Sequence, residues 1–348
     1  MRAVRLLRSE RIAAVLLVLA AAAGLIVANS PAGHAVEDVM ALELGWTVHA
    51  WIEDGLLALF FLVAAIELRH EFTNGELRTP ALAVRPAIAA AGGVLAPIAI
   101  YLAFTAGTGQ EHGWPIPTAT DVAFALGVLA IASRGLLPQR IRAFLLALAI
   151  IDDVVGILII AVLFGADPHR LPTLAAVALG VLLPARWGHA IRRALEPAVN
   201  GAVLPLFAFA ACLVAIPQVS GGLAPAFWGI AVALPLGKLL GIAGSTWIAD
   251  RLITREPRRR MPLLDLVTLG ALGGVGFTVS LLLASLAFKG DAELGAEAII
   301  AVLAGSITSI VLAVVLIQVQ VARYRALARL RASVRAGRGT PGRAAPIA

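Results

Sequence analysis

The sequence predicts an all-α polytopic membrane protein of about ten transmembrane helices, and three observations carry that expectation. Hydrophobic residues make up 60% of the 348 residues and charged residues only 14%, with a mean hydropathy of +0.92; soluble domains carry about 25% charged residues. Ten apolar stretches approach the roughly 20 residues that cross a bilayer as one helix, at about 11–29, 53–69, 86–106, 116–133, 143–164, 171–185, 197–216, 225–249, 262–288 and 296–320. Finally, 25 of the 28 basic residues fall in alternate connections, the one-sided pattern that marks cytoplasmic loops.

That asymmetry predicts cytoplasmic N- and C-termini. The other side keeps Arg170 and Lys289 among acids such as Glu37, Asp38, Glu43 and Glu111. The net charge of +7 is the product of this topology and gives no reason to expect nucleic acid; membrane lipid is the expected surroundings. No phosphate-cradling GxxxxGK[ST] occurs, so no nucleotide is expected, and the single Cys212 excludes an internal disulfide. The first apolar run follows an Arg-rich start but has no clear small-residue cleavage site, so it is expected to remain as a span. Residues 1–322 read as one transmembrane domain, with core triplets at about 86–164 and 225–320 and scaffold helices at about 11–69 and 171–216. Residues 323–348, rich in Arg, Gly, Pro and Ala, read as a disordered cytoplasmic tail.

The most informative residues are Asp152 and Asp153, adjacent and inside the fifth span. A single Asp at the centre of a membrane helix costs about 2.5–3.5 kcal/mol on insertion scales, so a doublet there requires partners, water or a bound cation. Neighbouring helix positions are about 100° apart. One carboxylate is therefore expected to face an ion path and the other Lys238, the one base deep in a span, with spacing alone leaving open which does which. Lysine, unlike arginine, can lose its proton when buried. Snorkelling of Lys238 to the interface is the alternative.

Two spans invite a break in the helix, which lipid tolerates only against protein or a wet cavity. The fourth opens WPIPTATD, with Pro115 and Pro117 unable to donate hydrogen bonds and Thr120 and Asp121 just beyond. The ninth carries Gly270, Gly273, Gly274 and Gly276, which suit unwinding or tight packing. Spans three to five and eight to ten form two triplets of opposite sense, each with its interrupted helix in the middle. This predicts an inverted-topology repeat with two crossed broken helices. The exposed half-helix ends would need balancing charge, which Asp121 and a cation can supply.

A small hard cation and a proton compete for the same carboxylate lone pairs. Two close carboxylates cannot both ionise freely and titrate as a coupled pair. A site of this kind, facing each side in turn, exchanges sodium for protons without nucleotide or any resident cofactor. Asp54 and Glu67, at either end of the second span, are candidates for an ion funnel; interfacial anchoring, with Arg69 beside Glu67, is the alternative.

Several segments, in order, resemble the NhaA-type sodium/proton antiporter family: WIEDGL at 51–56 with Phe60, Phe61 and Glu67, TDVAFALG at 120–127, LAIIDD at 148–153, LPLFAFA at 204–210, PLGK at 235–238 and GFTVS at 276–280. The resemblance covers most of residues 11–320. It implies that Asp153 is the main carboxylate for Na⁺ (or Li⁺) and H⁺, that Asp152 exchanges between the ion and a salt bridge to Lys238, and that Thr120 and Asp121 stabilise the crossing. It also implies electrogenic exchange for pH homeostasis, and a homodimer touching through a hairpin within 29–49, although the strand pattern there is weak. The chain departs from the family by about two helices missing between the doublet and LPLFAFA, and by the lack of a placeable histidine in the pH-sensing region, where Arg192, Arg193 and Glu196 stand. Three other readings fit the same residues: a sodium-coupled solute symporter of the same fold, a shortened inactive member, and an intramembrane aspartyl protease, whose Gly-x-Gly-Asp motif is missing.

Overall fold

A computed structural model describes residues 10–44, 46–48, 51–74, 80–164, 171–216, 222–253 and 260–338. Helices α1 (Glu10–Ala28) and α2 (Gly33–Met40) lead to a minimal antiparallel hairpin, β1 (Glu43–Leu44) and β2 (Trp46–Thr47), with Glu43 opposite Thr47. A π-helical turn (Trp51–Leu56) opens α3 (Leu57–Asn74), followed by α4 (Pro80–Thr105). Two 3₁₀ turns (Glu111–Gly113 and Ile116–Thr118) then precede α5 (Val122–Ser133) and α6 (Gln139–Phe164). The middle holds α7 (Leu171–Leu182), α8 (Ala185–Ala198), a π turn (Val199–Val203) and α9 (Leu204–Ala211). The last third is α10 (Pro225–Val232), a π turn (Ala233–Gly237), α11 (Lys238–Ile253), α12 (Leu263–Gly273), α13 (Phe277–Ala287) and α14 (Ala292–Arg338).

Most described helices overlap the ten apolar stretches, but not all as continuous rods, and α2 (Gly33–Met40) and α8 (Ala185–Ala198) fall mainly between them. Four of them are long and apolar enough alone to cross a membrane, or up to six if each bent pair is one span. The fourth stretch differs most from a simple helix. Pro115 and Pro117 remove two donors and hold its first part in the short 3₁₀ turn, after which Ala119 is extended (φ −79°, ψ 151°) and α5 begins only at Val122. The ninth stretch is α12 and α13, bent by 46° at Gly274–Gly276.

The tail expectation needs correction. Helix α14 runs 47 residues to Arg338, so 323–338 are helical rather than disordered. Alanine, leucine and arginine are all strong helix formers and dominate that stretch. Residues 339–348 lie outside the described part.

Close approach of α4 and α11 sets the wall of the core. A Cβ on Gly241 would run into the Gly92 carbonyl oxygen, and one on Gly237 would lie 2.7 Å from Pro97 Cα. Small residues at these crossings let the backbones touch, which is how helices associate in lipid. At the Arg-rich end, Arg140 at the start of α6 holds the buried Asp265 of α12 at 2.8 Å, and Gln320 of α14 donates to the same carboxylate at 3.2 Å. Arg85 of α4 pairs likewise with buried Asp250 of α11.

Candidate ion-exchange site

The two interruptions meet. The Asp121 N–H donates to the Val275 carbonyl at 2.6 Å, joining the extended strand of the first break to the glycine turn of the second. Beyond that bond, the Asp121 carboxylate serves both inner half-helices at once. Its Oδ1 accepts the Phe124 N–H of α5 at 3.0 Å, and its Oδ2 accepts the Thr278 N–H of α13 at 3.3 Å and the Thr278 hydroxyl at 2.8 Å. One anion therefore caps two helix N-termini, where the backbone leaves unpaired donors and positive partial charge. Ser280 closes the other approach by donating to the Ile116 carbonyl at 2.7 Å.

Thinness permits the crossing. A Cβ on Gly274 would stand 2.6 Å from the Leu234 carbonyl oxygen, and one on Gly276 3.1 Å from the Ala119 carbonyl oxygen. Gly273 ends α12, and its carbonyl accepts the Thr120 hydroxyl at 2.8 Å.

The aspartate doublet splits as adjacency requires. Asp152 is buried, with Oδ2 2.6 Å from Lys238 Nζ and 2.5 Å from the Thr120 hydroxyl. Lys238 is 0% exposed, which excludes snorkelling. It begins α11 directly after the π turn, where Pro235 cannot donate to the regular ladder and the extra residue in the turn shifts the register of α11. Asp153, about 100° round the helix, is partly exposed and lines a cavity of about 190 Å³ with Thr120, Asp121, Thr278 and Asn200.

Glu67 lines the same cavity and pairs with Arg192 of α8 at 2.9 Å. The side chain of Asp54 lies outside the described residues, although its backbone belongs to the π turn before α3. Sequence reasoning did not single out Thr278, Asn200 or the Arg192–Glu67 pair as site groups. Thr278 could have been found as the first hydroxyl after the glycine break. The other two depend on how α8 lies against α3, which no local pattern encodes.

Crossed broken helices around a carboxylate–lysine cluster, within a multi-pass apolar bundle, define a secondary transporter of the inverted-repeat class. A family model described as Na⁺/H⁺ antiporter 1 matches residues 4–184 and 171–317. The chain belongs to this sodium/proton antiporter family, whose members are transporters and not enzymes. It is 45% identical to "Na(+)/H(+) antiporter NhaA 2" of Clavibacter michiganensis subsp. michiganensis, over 92% of this chain and 93% of the relative. It is 38% identical to the NhaA antiporter of Tropheryma whipplei (90% and 94% covered) and 35% identical to that of Thermobifida fusca (93% and 95%). The Clavibacter alignment extends over 385 positions while using only about 320 of the 348 residues here, so roughly 65 positions have no counterpart in this chain. The two family-model matches overlap at 171–184, on α7, between the aspartate helix and the LPLFAFA helix.

Proposed function

We propose that this protein exchanges Na⁺, or Li⁺, for H⁺ across the bacterial inner membrane, with both termini in the cytoplasm and Asp153 as the carboxylate that carries ion and proton in turn. The observation that carries the reading is the division of the doublet: Asp152 is engaged by Lys238 and Thr120, while Asp153 opens on a polar cavity. A cation entering from the cavity meets Asp153 first, with the Thr120 and Thr278 hydroxyls and the Asn200 amide as neutral oxygen donors of the kind a hard cation prefers. As the ion binds, Asp152 can turn from Lys238 toward it, and the freed ammonium can release its proton. Protonation of Asp153 removes the charge that holds the ion, so the two cargoes exclude each other. Exchange of more than one proton per sodium makes the cycle electrogenic.

The Arg192–Glu67 pair and Glu196 stand at the cavity beside the site, where Glu67 would steer cations inward. A cavity of about 190 Å³ falls below the roughly 300–1,000 Å³ of small-molecule sites, which favours a bare ion over a co-transported solute. The protease reading needs an acid and a base placed on two sides of a scissile bond; here both carboxylates sit on one helix, and Asp152 is tied to lysine. The two family-model matches cover both core triplets and overlap only between them, at 171–184, and the carboxylate–lysine cluster is assembled in this chain, which supports an active transporter over an inactive remnant. A homodimer through the β1–β2 hairpin belongs to the same proposal.

The test is made in proteoliposomes carrying an imposed proton gradient and a pH-sensitive dye. Addition of Na⁺ or Li⁺ releases protons in the native protein, and Asp153→Asn abolishes the response while the protein remains folded. Sodium-dependent proton flux that survives in Asp153→Asn overturns the assignment of the carrier residue. No flux for any alkali cation at any pH, from well-folded protein, overturns the function.

A further inference from the structure

On the opposite side of the crossing from the ion cavity lies a second opening. A groove of about 740 Å³ runs between α1, α5 and α14. Its α14 wall is the stripe Leu303, Ile307, Ile310, Val311, Val314 and Gln318, a span of about 22 Å at 1.5 Å per residue. Val18 of α1 and Ile307 and Val311 of α14 are exposed along it, so the groove opens sideways to the hydrocarbon. Its floor includes Phe124 and Phe277, whose rings pack at 5.6 Å between centroids. These are residues of the two inner half-helices that Asp121 caps, so whatever fills the groove bears on the crossing from behind.

One end of the groove is charged. Arg134 terminates α5 in the left-handed conformation (φ 49°), is exposed, and forms no ion pair among the described residues. It lies with Gln318, whose amide holds the Ala132 carbonyl at 3.2 Å, at the end that the arginine asymmetry assigns to the cytoplasm. A long apolar trough with a lone guanidinium at the interfacial end matches an anionic amphiphile with an extended tail. From these features we propose that the groove is a binding site for an anionic glycerophospholipid of the cytoplasmic leaflet. Its phosphate rests on Arg134 and one acyl chain lies along α14 against Phe124 and Phe277. The acyl chain supplies packing that protein does not, and an ordered chain there braces the half-helix pair. Charge selects the headgroup, because a juxtamembrane arginine favours anionic over zwitterionic lipid.

The experiment reads binding, not transport, and so stands apart from the fate of the exchange proposal. The full chain is placed in nanodiscs of phosphatidylcholine containing a trace of lipid with a photoreactive acyl chain, either phosphatidylglycerol or phosphatidylcholine, and the labelled peptides are identified by mass spectrometry. Labelled phosphatidylglycerol is expected on the Val18 and Val311 peptides in preference to labelled phosphatidylcholine. Arg134→Gln is expected to cut that preference about fivefold, the weight of one basic residue at an anionic surface. Arg134→Lys keeps it and stands in if the glutamine variant does not fold. Ile307→Trp, which fills the trough from an exposed position, is expected to remove the label at Val311 and Val18 for both lipids. Equal labelling by the two lipids, a preference insensitive to Arg134→Gln, or cross-links to a second copy of the chain along this face each overturns the proposal.

Discussion

The two helix breaks that meet at the site are built by opposite means. The first, Ala119–Thr120–Asp121, follows prolines and brings polar side chains: Thr120 reaches Asp152 and the end of α12, and Asp121 caps both inner half-helices. The second, Gly274–Val275–Gly276, brings none and contributes backbone, two positions without Cβ atoms and the buried, apolar Val275. Crossing two unwound segments at membrane depth needs one partner with hydrogen-bonding groups to satisfy freed backbone and another slim enough to let it approach. A pair of breaks built alike would lack either the side chains or the space.

The sharpest way to break this contrast is Asp121→Ala. Two helix caps and the Thr278 hydroxyl lose their acceptor together, and a loss of about 3 kcal/mol is expected from caps worth about 1 kcal/mol each plus an unsatisfied buried donor. Thermal unfolding in detergent reads it, and a shift no larger than that of a surface substitution would show that the caps are incidental. Next comes Gly274→Ala, whose new methyl meets the Leu234 carbonyl. Overpacking of this kind costs about 2 kcal/mol, whereas Ala119→Gly in the other break should cost under about 1 kcal/mol. Equal shifts for the pair would erase the distinction between slim and polar halves.

Thr278→Val sharpens the comparison at smaller amplitude. It removes one hydrogen bond to Asp121, worth about 1 kcal/mol, and should leave the Phe124 cap in place, visible as unchanged slow hydrogen exchange at Phe124 while exchange at the start of α13 quickens. The smallest effect belongs to Glu111, in the turn leading to the prolines, whose carboxylate accepts the Gly107 N–H at 2.7 Å. Backbone N–H groups, its own first and then that of Gly107, hold its pKa below the usual glutamate value. Its stabilising contribution is present above the ordinary glutamate range and fades as pH falls through the lowered value. Comparison of Glu111→Gln with the native protein by melting across that range should show curves that converge at the acidic end.

Charge inside apolar runs was the legible part. Asp152, Asp153 and Lys238 stand out because lipid penalises each of them, and the opposed triplets follow from where arginines fall. Rotation along one helix could say that the two aspartates diverge but not which of them meets Lys238, since that depends on the α4–α11 contact through Gly92 and Gly241. The tail was misread because composition alone suggested disorder, while the same Ala, Leu and Arg residues propagate a helix already nucleated in the membrane. The interruption of the fourth stretch was legible from Pro115 and Pro117, but not the 3₁₀ form of the turn at Ile116–Thr118, because hydropathy does not report backbone conformation. Glu67 was read as a funnel carboxylate or an interfacial anchor beside Arg69, and its ion pair with an arginine 125 positions later could not be read from local sequence.

Because a single carboxylate closes the opening turns of α5 and α13, those two segments are riveted at their facing tips. Parting them strips both of their terminal bond in the same instant. A displacement that carries the riveted pair as one load past its neighbours meets far less resistance than one that pries it open. A motion at the seams around the crossing leaves that shared anchor intact, whereas one through its centre does not.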